Sequence, residues 1–277
     1  FLFLLAITLG LSSCEGFLEN DLPDNKLTFE EGIRTEADLQ ELLNSCYDVV
    51  ANSFAGNAQK FAELLGEDVF LTGNLGNLLQ VYNRSSDFFN GDVGGFYKEP
   101  YIVINRANTL IEQIDRVDTD QQTRDRIIGE AKAMRGLSHL ELVKIFAQPY
   151  GYTADNSHAG IVLRENTVAD PSPRNTVAEV YASVEQDLLE ALELIPAENG
   201  IYLDKTDVRA ILARMYFYQN NFEKAAEMSE AVIASSDAML TDTITSRYVP
   251  DIEPAEALFY IVSLSEGDNR SAQFRGP

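Results

Sequence analysis

Cys14 is the residue whose chemistry is most closely specified by its neighbours. It follows Leu11-Ser12-Ser13, at the end of an uncharged, mostly apolar run that opens FLFLLAITLG. Small residues before a cysteine fit the narrow cleft of a signal peptidase, and the thiol is the group that accepts a diacylglycerol. Leu-Ser-Ser-Cys therefore resembles a bacterial lipobox. The run is shorter than the roughly 20 residues a membrane-spanning helix needs. It suits the apolar part of a secretory signal whose basic start is missing. No Met precedes Met134, so the beginning is expected to be incomplete. Residues 1–13 are read as a partial signal peptide and Cys14 as the lipidation site. The other cysteine, Cys46, falls on an apolar helical face and reads as a small core residue. Two cysteines are too few for a disulfide scaffold or a cysteine-built zinc site.

Residues 66–99 hold a second group with chemical potential. Phe70, Tyr82, Phe88, Phe89, Phe96 and Tyr97 lie there beside Asp68, Asn74, Asn77, Asn83 and Asp87. Flat apolar rings offer stacking faces, and planar amides and carboxylates offer hydrogen bonds, which together make the side-chain set of a binding surface. Tyr82, Asn83, Asp87 and Phe88 are the residues expected to touch a ligand. Some of the other aromatics would anchor the stretch onto neighbouring helices.

The remaining polar candidates read as structural. Glu130 and Arg135 are i and i+5 on one helix, too far round to pair neatly, so each is expected to bond other helices. Asn105 and Arg106, in Ile104-Asn105-Arg106-Ala107-Asn108, read likewise as interhelix hydrogen-bonding groups. His139 sits mid-helix in an apolar setting and reads as a satisfied core histidine, while His158 lies in a loop without an evident partner. DRVDTDQ (115–121) leads into Thr123 and Gln122 where an EF-hand needs Gly and an acid respectively, with Gly129 at position twelve, so no metal site is expected. TGNLGN and GDVGG lack the strand–turn–helix setting of a phosphate loop. No cofactor is expected.

The elements that must position these residues are helical. Thr35 and Asp38 form a near-capping box, followed by Leu39, Leu42, Leu43, Cys46, Tyr47 and Val50 in one wide apolar stripe. Further helices are expected over 101–114, 120–146, 206–219 and 222–235. Another follows the capping box Thr176/Glu179 and stops at Pro196. Residues 66–99 and 149–175 read as long loop-rich insertions. Ala257 to Leu264 reads as a short strand near the C-terminus. Leu212, Ala213, Tyr216, Phe222 and Ala225 stand where a tetratricopeptide helix pair wants them. Such repeats need neighbours to bury their faces, so a mainly α, tetratricopeptide-like helical array is implied.

Charge removes whole classes of function. The net charge of the 277 residues is −23, against the basic footprint that nucleic-acid recognition needs and the polybasic segments that dock on anionic lipid. Residues 15–68 carry thirteen acidic and three basic side chains, and 14–34 reads as an acidic tether leading to a domain over 35–277. At 45% apolar content the chain can bury a substantial core despite its charge.

Four segments carry a family resemblance, in order: YIVINRANTLIEQID (101–115), GEAKAMRGLSHLELVKIFAQPYG (129–151), NTVAEVYASVEQDLLEALELIP (175–196) and DVRAILARMYFYQNNFEKAAEMSEAVI (207–233). The second resembles the signature of the SusD/RagB family of Bacteroidetes outer-membrane lipoproteins. The chain departs from that family in lacking Trp, in carrying Gly136 where Ala is common, and in stopping short of its usual length. The resemblance implies a lipid-anchored, surface-exposed outer-membrane protein of tetratricopeptide-like helices, with a loop-rich part that holds the ligand. It implies a non-enzymatic protein that captures glycans or other oligomeric nutrients and acts as the lid of a SusC/RagA-like TonB-dependent transporter. Two readings from other classes stand beside it. One is an all-α glycoside hydrolase, which needs two carboxylates facing one cleft. The other is a tetratricopeptide scaffold that binds protein segments.

Overall fold

Thr35 starts the first helix, α1 (Glu36–Asn52), by accepting the Asp38 N–H at 3.2 Å while the Asp38 carboxylate accepts the Thr35 N–H at 2.8 Å. This reciprocal pairing satisfies two donors that a helix start otherwise leaves open. The computed structural model describes residues 32–53, 58–67, 69, 71–72, 76–241, 243, 255–259 and 261. The signal segment, Cys14 and nearly all of the 14–34 tether lie outside these. So do Phe70, Asp68 and Asn74.

After α1 come α2 (Gln59–Gly66), α3 (Asn77–Tyr82), α4 (Gly91–Gln113), a 3₁₀ turn at Ile114–Arg116, α5 (Gln121–Phe146), α6 (Val177–Leu194), α7 (Lys205–Tyr218) and α8 (Phe222–Ser235). Helix α5 is the hub, packed chiefly on α4 and α6 and also touching α1 and α7. Its apolar residues Ile127, Ala131, Met134, Leu140 and Leu142 are all buried in the main core, together with the α1 stripe. Gly129 is required there: a Cβ would come within 2.7 Å of the Ile195 side chain and 3.0 Å of its backbone nitrogen. Helices α7 and α8 form the expected antiparallel pair. Asn220 makes the turn in the left-handed region (φ 59°) and Asn221 caps α8 by accepting the Lys224 N–H.

Three expectations need correction. First, α4 begins ten residues before Tyr101, running through Gly94, Gly95 and Pro100, so its first turns occupy the end of the expected 66–99 insertion. Asn90 caps it by accepting the Val93 N–H at 3.0 Å. Phe96 is buried against Phe61 and Phe146, at ring separations of 5.1 and 6.0 Å. That packing outweighs the backbone bond Pro100 cannot donate. Second, 66–99 is less a loop than expected, since α3 and the start of α4 lie within it. With α2 they close a small second core of Phe61, Leu64, Val81 and Phe96. Third, of the expected strand at 257–264, Ala257, Leu258, Phe259 and Ile261 are described, and they form a bend and irregular chain. Phe259 packs its ring 6.2 Å from Tyr47, so its apolar character serves the helical core and no sheet. Among the described residues the one β-bridge joins Ala159 to Thr176, and 149–175 is otherwise the irregular connection that the Pro and Gly spacing indicates.

Candidate ligand-binding surface

The signature segment builds a buried polar scaffold. Arg135 on α5 makes a fork with Asp187 on α6: Nε donates to Oδ2 at 2.8 Å and Nη2 to Oδ1 at 2.6 Å. Its Nη1 donates to Asn108 Oδ1 at 2.7 Å and to the Glu165 carbonyl at 3.3 Å. Burial holds the Asp187 carboxyl above the usual carboxylate value, against the opposing pull of Arg135 and Lys132. Glu130 accepts from the Tyr47 hydroxyl at 2.5 Å, and from Asn199 Nδ2 and Arg126 Nη1 at 2.9 Å each. It thereby ties α5 to α1 and to the connection before α7. Arg106 donates to the Ser45 carbonyl at 2.6 Å, joining α4 to α1. Asn105, expected to bond another helix, is instead exposed. The amide that does so is Asn108, one turn on, where α4 faces α5.

The four residues expected to touch ligand divide. Tyr82 turns partly inward onto the small core, because α3 is too short to bury Val81 and Leu78 without it. Asn83 is the exposed C-cap of α3, and Arg84 follows in the left-handed region (φ 53°), paired with Glu67 at 2.9 Å. Asp87 and Phe88 then stand in the open on the loop leading to α4, beside Phe89. Phe88 is 95% exposed and Phe89 87%, with ring centroids 5.5 Å apart in an edge-on arrangement. The loop beneath them is fixed. Asp87 Oδ1 accepts the Phe89 N–H at 2.8 Å, and Asn90 Nδ2 donates to the Asn77 carbonyl and Gln80 Oε1. Two large rings thus stand bare on a loop held in place, with Asp87 tied to the Phe89 backbone beneath them.

A hollow of about 500 Å³ opens farther along α4, lined by Tyr97, Tyr101 and Asn105 from the helix and by Val162, Arg164 and residues 166–171 from the strap that crosses it. The sequence reading passed over this hollow. The strap is held from below by Asn108 Nδ2, which donates to the carbonyls of Arg164 and Asn166, and by His139 Nε2, which accepts the Arg164 N–H at 3.3 Å. Full burial pushes the His139 imidazole down to about 3, so it is neutral and cannot act as an acid–base group near neutral pH. Its Nδ1 has no hydrogen-bond partner among the described residues, so it is less satisfied than a core histidine ordinarily is. His158 does have partners, Thr153 Oγ1 and the Gln148 carbonyl.

A family model described as SusD-like, starch-binding and associating with the outer membrane matches residues 16–217, more than half of the chain. The chain belongs to the SusD-like family. SusD-like protein P2 of Formosa agariphila is 28% identical over 235 residues, covering 83% of this chain and 45% of that protein. A crystallised SusD-like carbohydrate binding protein from Bacteroides vulgatus superposes with a TM-score of 0.65 at 26% identity, over 76% of this chain and 47% of that one. A SusD superfamily protein from Bacteroides thetaiotaomicron shares the fold with a TM-score of 0.72 at 24% identity, over 84% of this chain and 54% of that one. The chain thus spans about half the length of these relatives. The mainly helical, tetratricopeptide-like fold of the SusD-like proteins is the fold described above. The sequence reading missed Phe89 as a partner of Phe88, and Tyr97 and Tyr101 as a pair. The i, i+4 spacing of the two tyrosines was visible, but only a helix running back past Pro100 gives that spacing meaning.

Proposed function

We propose that this chain is the glycan-capturing, non-enzymatic part of a lipid-anchored outer-membrane protein, acting as the lid of a SusC/RagA-like TonB-dependent transporter. The observation that carries the capture reading is the pair Phe88–Phe89, bare on a locked loop in a chain of the SusD-like family. Two neighbouring phenyl rings left in water are costly unless something covers them. A pyranose offers the flat C–H face that fits a ring, while Asp87 and Asn83 can bond its hydroxyls. Because the loop is fixed beforehand, little ordering entropy is lost on binding.

Lipidation at Cys14 and the acidic segment after it support the lid reading. A diacyl chain with a further acyl chain gives stable anchoring where one chain does not. An anchor confines lid and transporter to one membrane, so a modest docking surface stays occupied through high effective concentration. The helical array supplies a broad stiff face for docking, and its strong negative charge suits a basic rim on the barrel. The test is a detergent pull-down of the tagged protein from native cells grown on candidate polysaccharides. Co-purification of a large barrel, with loss of nutrient uptake on deletion, is the expected result. Absence of a barrel under every growth condition, with uptake unchanged, contradicts the lid.

A further inference from the structure

We infer that the hollow beside Tyr97 and Tyr101 is a second saccharide-binding subsite, separate from the Phe88–Phe89 platform and taking a unit of one or two sugars. It rests on the glycan reading above and goes beyond it in placing a second contact.

The helix wall has the right groups in the right row. Tyr97, Tyr101 and Asn105 stand at i, i+4 and i+8, so they share one face of α4. Both rings are immobilised in advance. Tyr97 rests edge-on against Phe146 with centroids 4.9 Å apart, and the two tyrosine rings lie 5.2 Å apart. The Tyr101 hydroxyl donates to the Val162 carbonyl at 2.9 Å, fastening the rings to the strap.

The strap wall is held through its backbone. Asn108, Arg135, His139 and Tyr101 all bond main-chain atoms of residues 162–166. The side chains of Arg164, Asn166 and Asp170 are therefore not needed to fasten the strap to the buried scaffold, and they line the hollow. The half-buried guanidinium of Arg164 stands at the wall of the hollow and donates from Nη1 to Ser172 Oγ at 3.3 Å. Val168, 55% exposed, adds an apolar lip.

Chemistry selects the ligand class. Two ring faces flanked by amides, a guanidinium and a carboxylate offer both donors and acceptors around an apolar floor, which is what a hydroxylated ring with C–H faces requires. The volume lies within the range of small-ligand sites. Asp170 is the one carboxylate among the described lining residues. Most glycoside cleavage uses two facing carboxyl groups, so a lining with one carboxylate suits binding rather than hydrolysis.

The experiment titrates the full chain by calorimetry with maltose, laminaribiose and digalacturonate, alongside longer oligosaccharides of the same series. It compares wild type, a platform-less F88A/F89A variant, and that variant with Asn105→Ala or Arg164→Gln added. Asn105 is exposed, and Arg164 is held mainly through its backbone, so both changes leave the scaffold intact. The expected result is residual binding of one disaccharide by the platform-less variant, weakened about tenfold, or about 1.4 kcal/mol, by either added change. Residual binding that neither change affects, or no residual binding while wild type binds the longer ligands, overturns the second subsite and leaves the platform standing. If wild type binds none of the ligands, both readings fail.

Discussion

Arg135 and Asp187 meet through two parallel hydrogen bonds across the α5–α6 contact, both side chains buried. Close helix approach makes this possible: a Cβ at Gly136 would lie 3.3 Å from the Asp187 Cβ. The same guanidinium reaches Asn108 and the Glu165 carbonyl. One arginine thus joins α4, α5, α6 and the strap that walls the hollow.

Arg135→Ala should lower stability by about 3–5 kcal/mol, because it strips a buried carboxylate of its forked partner and leaves only the Lys132 ammonium, 3.9 Å away. Arg135→Lys should recover only part of the loss, since an ammonium cannot reproduce the fork. Urea unfolding measures both. Hydrogen exchange of the 162–167 amides should accelerate in Arg135→Lys even where the global fold persists. Unchanged protection there would show that the strap does not depend on this residue.

Leu142 lies 1% exposed on the central helix. Leu142→Ala should cost about 2–5 kcal/mol through lost burial and the cavity left behind. A loss below about 1 kcal/mol would mean that α5 is not the hub.

Acid should weaken the fold through His139. Its folded value is held down to about 3 by burial, with Arg135 adding to the effect, against an ordinary value of 6.5. Below that ordinary value the unfolded chain takes up a proton that the native state refuses. The contribution is therefore complete above pH 6.5 and is lost as pH falls toward 3. Near pH 5 the loss should amount to about 2 kcal/mol. His139→Gln keeps an acceptor for the Arg164 N–H and removes the titration, so its unfolding midpoint should depend less steeply on pH than that of wild type. Equal slopes would assign acid sensitivity to other groups.

Lipidation at Cys14 predicts that Cys14→Ser releases the protein from the membrane fraction or leaves its signal segment uncleaved. Processed and membrane-bound Cys14→Ser protein would remove the anchor from the account.

Local signals made most helices legible. The Thr35/Asp38 and Thr176/Glu179 boxes fix two helix starts, and the apolar stripe from Leu39 to Val50 is buried as its spacing indicates. What sequence could not reveal depended on partners distant in the chain. Pro100 and three nearby glycines argue locally against a helix, and only the meeting of Phe96 with Phe61 and Phe146 reverses that. Phe259 and Ile261 stand in a stretch of strand composition but pack on the helical core. The candidate site was half legible. Phe88 and Asp87 stand out by residue type, whereas Tyr82 carries the same aromatic signal and turns inward. The hollow was not legible, because its walls come from segments more than fifty residues apart, as the Asn108–Arg164 bond shows.

The central claim is that a glycan stacks on Phe88 and Phe89. The chain has no Trp, so Phe88→Trp places a single indole on the platform, preserves the stacking face and supplies an unambiguous fluorescence signal. Calorimetry first identifies an oligosaccharide that the wild-type chain binds, starting with starch fragments, and the same sugar is then titrated into Phe88→Trp. The account predicts a blue-shifted, saturable change in emission with an affinity close to wild type, and a loss of at least about tenfold in F88A/F89A with the fold unchanged. Silent indole emission during saturating binding, with F88A/F89A binding as tightly as wild type, would contradict it.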